Sequence, residues 1–235
     1  MTDNDIEEFN VEKEIKKPDI IHVDVKSLVT NIIDPAPIGV FGLAIGAWVL
    51  ALTDLRTASE RNEVRIGWVI WLPSIAQLLA GIYDSFKANV FGATAFIGYS
   101  MLWFCLFGTW YAARDVDYNA HHELVYFITV DISFFIFTVY VFVFSMGLNF
   151  ILPAILFFIL CALLSLALQV LNGTDARITG VFLLIVALLS FWCSLGGIVN
   201  GAAGGALVPM GPGLYSWGKV IERIKKKQSE KLVNK

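Results

Sequence analysis

Six runs of this chain, residues 36–53, 66–83, 89–112, 124–146, 150–171 and 178–202, are almost wholly apolar. Each comes close to the length of about 20 residues at 1.5 Å rise that a helix needs to cross the hydrocarbon of a bilayer. Lipid offers no hydrogen bonds, so a segment that crosses it satisfies its own backbone, and a run of this length does so as an α-helix. The joints between the runs, "DLRTASERNEVR", "DSFK", "RDVDYNAHHE", "GLN" and "NGTDAR", are short and polar. Short joints make consecutive helices antiparallel neighbours. The expected fold is therefore an all-α membrane protein, a six-transmembrane-helix bundle over 34–212. A polar N-terminal arm over 1–33 precedes it, and a basic tail over 213–235 follows.

Composition agrees and removes other classes. The chain is 57% hydrophobic and 16% charged, against about 25% charged for a soluble domain. Lys and Arg number 17 against 20 Asp and Glu, which leaves no basic excess for phosphate neutralisation, so no nucleic-acid partner is expected. Cys105, Cys161 and Cys193 all lie in apolar runs without a CxxC or Cys/His spacing, and read as small buried hydrophobes. His121, His122 and Glu123 are adjacent but lack the register that puts two imidazoles on one helical face. No catalytic, metal-binding or phosphate-binding spacing is present, so the chain is expected to be no enzyme and to need no cofactor. The acidic, polar start is not a signal peptide.

With six spans both termini share a side. That side carries twelve Lys and Arg, and the other carries five, of which Arg56, Arg61 and Arg65 sit together. The positive-inside rule places both termini in the cytoplasm. Trp68, Trp71, Trp110, Tyr111 and Trp217 fall near span ends, where amphipathic rings anchor to the interface. The tail "IERIKKKQSEKLVNK" reads either as a solvated end or as an interfacial helix drawn to anionic lipid.

Inside the spans two features stand out. Gly39, Gly42 and Gly46 line one side of the first span, and Gly197, Gly201 and Gly205 do so in the last, beside Gly196 and Gly204. Such stripes serve close helix packing or an oligomer contact. The second feature is a set of polar groups: Gln77, Asn89, Thr94, Tyr99, Asp131 and Asn200. A carboxylate at depth, such as Asp131, costs about 2.5–3.5 kcal/mol at a helix centre unless paired or protonated. It reads equally as a functional protonation site and as a structural acid, either protonated and bonded to a neighbouring helix or snorkelling to the interface. At the front edge, "DPAPIG" places Asp34 where it suits a helix N-cap, with Pro35 and Pro37 in the first turn, where a missing N–H costs nothing.

The segment "DPAPIGVFGLA" resembles the signature that opens the first helix of the acetate uptake transporter family. "IAQLLAG" at 75–81, then Lys87, Asn89, "FGATAF" at 91–96, Tyr99 and Trp103, resembles that family's second and third helices, and "VPMGP" at 208–212 its ending after the sixth. The resemblance implies a pore in each protomer, a homohexameric ring, and small carboxylates such as acetate and succinate as partners. It implies a constriction at Leu43, where relatives often carry Phe, and at Tyr99. A third layer belongs to the fifth helix, where no motif sets the register. Asp34 for Asn, Pro73-Ser74 for Gly-Gly, Ala88 for Gly and "GYS" for "SYG" are departures.

The expected path runs past Asp34, Pro35, Ala36, Pro37, Gly39, Gln77, Asn89, Phe91 and Thr94 to the neck of Leu43 and Tyr99. No Lys or Arg lies within the spans, so uncharged donors and helix N-termini supply the attraction for an anion. Asp131 is the candidate protonation site. The competing reading is a membrane scaffold or sensor, in which Gln77, Asn89 and Tyr99 bond only to protein.

Overall fold

The computed structural model describes residues 33–55, 62–113 and 120–233, with 62–70, 107, 109–113, 120–127 and 227–233 described by backbone alone. Residues 1–32 of the N-terminal arm, Arg56, Arg61, and the side chains of Arg65 and of His121 to Glu123 lie outside that description. The elements are α1 (Ala36–Asp54), α2 (Asn62–Phe86), α3 (Val90–Ala113), α4 (Ala120–Ser145), α5 (Ile151–Asn172), α6 (Ala176–Ala203) and α7 (Trp217–Val233). Among the described residues every regular element is helical, and the protein is embedded in the membrane. Among the described residues, Ala36–Asp54, Ile128–Ser145, Ile151–Asn172 and Ala176–Ala203 are long and apolar enough to cross it, and Val90–Leu106 of α3 is a shorter apolar stretch.

Each of α1 to α6 packs on the next, and α6 returns to pack on α1. The six helices therefore close a ring in chain order, as short joints between long helices demand. Large apolar side chains such as Phe41, Leu79, Val143, Leu164, Leu188 and Ile198 are exposed, an outward apolar surface that lipid covers. The interior holds one cluster that draws Val40 and Ala47 from α1, Ala95 and Tyr99 from α3, Val141 from α4, Ile155, Leu156, Ile159 and Leu163 from α5, and Val186, Ala187 and Cys193 from α6.

Glycine sets the tightest of these contacts. A Cβ on Gly39 would stand 2.6 Å from the Phe96 ring, one on Gly42 2.8 Å from the Ala76 Cβ, and one on Gly46 2.8 Å from the Trp103 ring. The stripe in α1 thus seats that helix against α2 and α3 within the protomer. Pro73, inside α2, fills the space that Gly42 and Gly46 leave. Polar bonds fasten the same region: Ser100 donates to the Ser74 carbonyl at 2.9 Å, and Trp103 Nε1 donates to Gln77 Oε1 at 2.9 Å.

After α6, residues 205–216 fold back over the α4–α5 joint. Gly204 takes the left-handed conformation that ends α6 (φ 62°). Asn200 exchanges two hydrogen bonds with the backbone of Val208, and the Met210 carbonyl accepts from the N–H groups of Phe150 and Ile151. The polar residue near the end of the last span is therefore a fastener for this return. The tail, for which two readings stood open, is a helix from Trp217 to Val233.

Candidate permeation path

The start of α1 differs by one residue from the expected cap. Pro35 occupies the N-cap position, and its carbonyl accepts from Ile38 and Gly39. Asp34 stands one step earlier, accepts from the Ala36 N–H at 3.2 Å and lies 3.9 Å from Lys87 Nζ. Ala36 still has a free donor, so the carboxylate moves back to meet it, and Pro37, at the second helical position, needs none. The Pro37 carbonyl accepts from Ser194 of α6 at 2.8 Å, and a Cβ on Gly197 would stand 2.7 Å from the Pro37 ring. Both α1 and α6 are thus locked at this mouth.

The α2–α3 joint reaches the same mouth through Lys87. Asn89 caps α3: its Oδ1 accepts from the Gly92 N–H at 3.2 Å, and its Nδ2 donates to Asp84 Oδ1 at 3.1 Å. Asp84 is fully buried, and its Oδ2 has no partner. A Cβ on Gly92 would fall 1.8 Å from that oxygen, so glycine here is what admits a carboxylate beside the start of α3. The unpaired N–H groups at a helix start favour negative charge, which accounts for an acid in that position. Sequence reading assigned Asp84 to a polar joint and missed it. The signal was present as an acid five residues before an Asn cap.

Deeper in the ring, Tyr99 is buried and its hydroxyl donates to Thr138 Oγ1 at 3.0 Å, while Thr138 donates to the Phe134 carbonyl at 2.7 Å. Its ring meets Phe137 edge-on at 5.4 Å. Leu43 packs against the same cluster as Tyr99. The two residues implied as a neck are brought together in the apolar interior. From α5 the cluster takes Ile155, Ile159 and Leu163, one helical face at four-residue steps. Phe91 packs on the cluster and stacks on Phe144 at 5.3 Å.

Other expected residues stand apart. Thr94 is exposed, whereas Pro35 and Gly39 are buried and Ala36 and Pro37 half-buried. Gln77 is buried and bonded to Trp103. Asp131 is 6% exposed, three residues into the apolar part of α4, and its Oδ1 has no partner. Among the described residues, no group of three metal-capable side chains is present.

The chain matches the model of the GPR1/FUN34/yaaH family over residues 22–210. It belongs to that family. The resemblance seen in the sequence is thereby confirmed, and the family is one of channels and transporters rather than enzymes. Ammonia transport outward protein 2 of Saccharomyces cerevisiae is 27% identical over 178 residues, covering 71% of this chain and 62% of that protein. The succinate-acetate/proton symporter SatP of Escherichia coli is 31% identical over 77 residues, covering 33% of this chain and 40% of the symporter. This GPR1/FUN34/yaaH member therefore spans about three fifths of the length of the yeast relative. The structure of the bacterial acetate channel SatP shares the fold, with a TM-score of 0.69 and 24% identity, over 77% of this chain and 99% of the channel.

Proposed function

We propose that this protein conducts small carboxylates, acetate first and succinate second, through the middle of a six-span bundle. The protomers form a homohexamer in the plasma membrane, with both termini cytoplasmic. The transport domain is 34–212. The observation that supports the reading is the sequence of packed helices around an apolar cluster that holds Tyr99 and has Leu43 packed against it, in a chain of this family. Such a neck excludes water when empty, and weak sites on either side let an anion enter and leave. The mouth is built from Asp34, Pro35, Ala36, Pro37, Gly39 and Asn89, with Phe91 between mouth and neck.

The hydrogen bonds at the neck bear on the species that passes. Tyr99 gives its proton to Thr138 and Thr138 gives its own to Phe134, so the phenol oxygen is left with lone pairs only. A lone pair accepts from a protonated acid and repels a carboxylate. The neck in this conformation therefore suits the neutral acid, and Asp131, buried with one oxygen unpartnered, is the candidate for handling its proton. Thr94, exposed on α3, remains on the proposed path as an uncharged donor.

Reconstituted protein in liposomes, loaded against radiolabelled acetate, tests the proposal. Uptake is expected to be competed by succinate, to rise as the pH falls, and to change at least several-fold in Leu43→Ala or Tyr99→Ala. Unchanged flux in both variants removes the neck. Asp34→Asn should raise uptake at neutral pH slightly, because Lys87 already offsets part of that charge. A scaffold is the second reading, favoured by the protein partners of Gln77, Asn89 and Tyr99; it predicts no acetate flux at all. An ammonium gradient in a parallel arm shows whether the transport in the yeast relative's name extends to this chain.

A further inference from the structure

The last helix is held at the end of α4 by bonds that leave a groove. Leu214 N–H donates to the Met146 carbonyl at 2.7 Å, Trp217 Nε1 donates to the Phe144 carbonyl at 3.1 Å, and the Tyr215 hydroxyl donates to Val143. These donors fasten the segment to carbonyls at and just past the C-terminus of α4. Trp217 stacks on Phe144 at 5.4 Å, so α7 starts level with the end of a membrane helix. Between α7 and the α4–α5 joint lies a cavity of about 580 Å³ lined by Gly147, Tyr215, Ser216, Trp217, Lys219 and Arg223 among others.

Lys219 and Arg223 lie one helical turn apart, and among the described residues neither has a carboxylate partner. The same helix carries an apolar stripe at Trp217, Val220, Ile221 and Ile224, the i, i+3, i+4, i+7 spacing of one face. Trp217 and Val220 are half-buried, whereas Ile221 and Ile224 are 49% and 51% exposed. Along the helix Lys225, Lys226, Lys227 and Lys231 add charge against Glu222 and Glu230. Beside the cavity, Phe144, Leu148 and Phe150 are exposed.

We infer that this groove seats the phosphate headgroup of an anionic phospholipid, with α7 lying flat on the leaflet at that end of the bundle. Arg and Lys supply the charge-assisted bonds to the phosphate, and the Ser216 hydroxyl and the first N–H groups of α7 lie on the same rim. The acyl chains continue along Phe144, Leu148 and Phe150, and Ile221 and Ile224 enter the headgroup boundary, as in an interfacial helix with cations flanking its apolar face. Lipid, rather than a soluble anion, is the occupant because unpaired cations and exposed apolar side chains share one edge at the level where a bilayer ends. The inference does not depend on what the bundle conducts.

The test titrates delipidated full-length protein in detergent with dioleoyl phosphatidylglycerol or dioleoyl phosphatidylcholine and counts bound lipid by native mass spectrometry. The anionic lipid should bind more tightly, and Lys219→Gln with Arg223→Gln should weaken it by about twentyfold, about fivefold for each cation, with phosphatidylcholine unaffected. Ile221→Ser with Ile224→Ser should weaken both lipids together. Equal binding of the two lipids, or an unchanged titration in the charge variant, overturns the inference. So does displacement of the lipid by millimolar inorganic phosphate, which would make the groove a site for a soluble anion. All four side chains are exposed, so the bundle forms in these variants.

Discussion

Gly39, Gly42 and Gly46 in α1 recur at three- and four-residue steps and Gly197, Gly201 and Gly205 around the end of α6 at four-residue steps, yet the two stripes meet different surroundings. Every member of the first set faces a neighbour that a methyl group would strike, at 2.6–2.8 Å. In the second, Gly197 faces Pro37 at 2.7 Å, while Gly201 and Gly205 have nothing within 4 Å. Spacing reports that a helix has a smooth side. What the side is smooth for depends on the partner, and the partner comes from the fold. Alanine substitution separates the two stripes, because added volume costs only where space is already filled.

The double variant Gly39→Ala/Gly42→Ala should produce the largest effect. Overpacking costs about 1–3 kcal/mol at each site, and the better helix propensity of Ala returns about 1 kcal/mol at each. The obstacles are the Phe96 ring and Ala80 for one and Ala76 with the Pro73 backbone for the other, which cannot all move aside. A net loss of up to about 4 kcal/mol follows, read as a fall in thermal midpoint in detergent. An unchanged midpoint would mean that α1 does not pack on α2 as described.

Asn200→Ala comes next and probes what holds the end of α6 in place of a packed stripe. Its amide makes two hydrogen bonds to Val208, at 2.9 and 2.7 Å. At about 1 kcal/mol each, their loss costs about 2 kcal/mol and frees the return segment from the α4–α5 joint. Limited proteolysis between 205 and 216 should quicken. If it does not, the Met210 contacts hold that segment alone.

Gly197→Ala is smaller, about 1 kcal/mol after the propensity gain, but it acts at the mouth. The added methyl presses on the Pro37 ring, whose carbonyl is tied to Ser194. Acetate flux should fall more than stability does. Equal loss of both would place Pro37 outside the path.

What the sequence made legible follows the same division. The helix bounds were readable within a few residues: 36–53 against Ala36–Asp54, and 178–202 against Ala176–Ala203. Polar joints bracket each apolar run, and Asp175 caps α6 through the Arg177 N–H as a joint residue should. Which face of a helix points inward was not readable, because these helices are apolar all round and periodicity carries no direction. Hence the sequence set no direction for the exposed Thr94, and Ile155 and Ile159 had no assigned role. Asp84 was hidden for another reason. Its burial depends on Gly92 across the joint, a contact that neither residue announces alone.

Gly201→Ala gives the smallest effect and the opposite sign. No atom lies within 4 Å of the new methyl, the residue sits inside α6, and replacing Gly by Ala in a helix interior stabilises by about 0.5–1 kcal/mol. The thermal midpoint should therefore hold or rise slightly. This holds for a protomer whose α6 end faces lipid or water. In a hexamer whose subunits touch through that end, the same methyl would meet a second copy at backbone distance and the assembly would loosen. Size-exclusion of the variant in detergent separates the cases. An intact oligomer places the subunit contact elsewhere on the ring of helices, and dissociation would turn the open stripe into the seam between protomers.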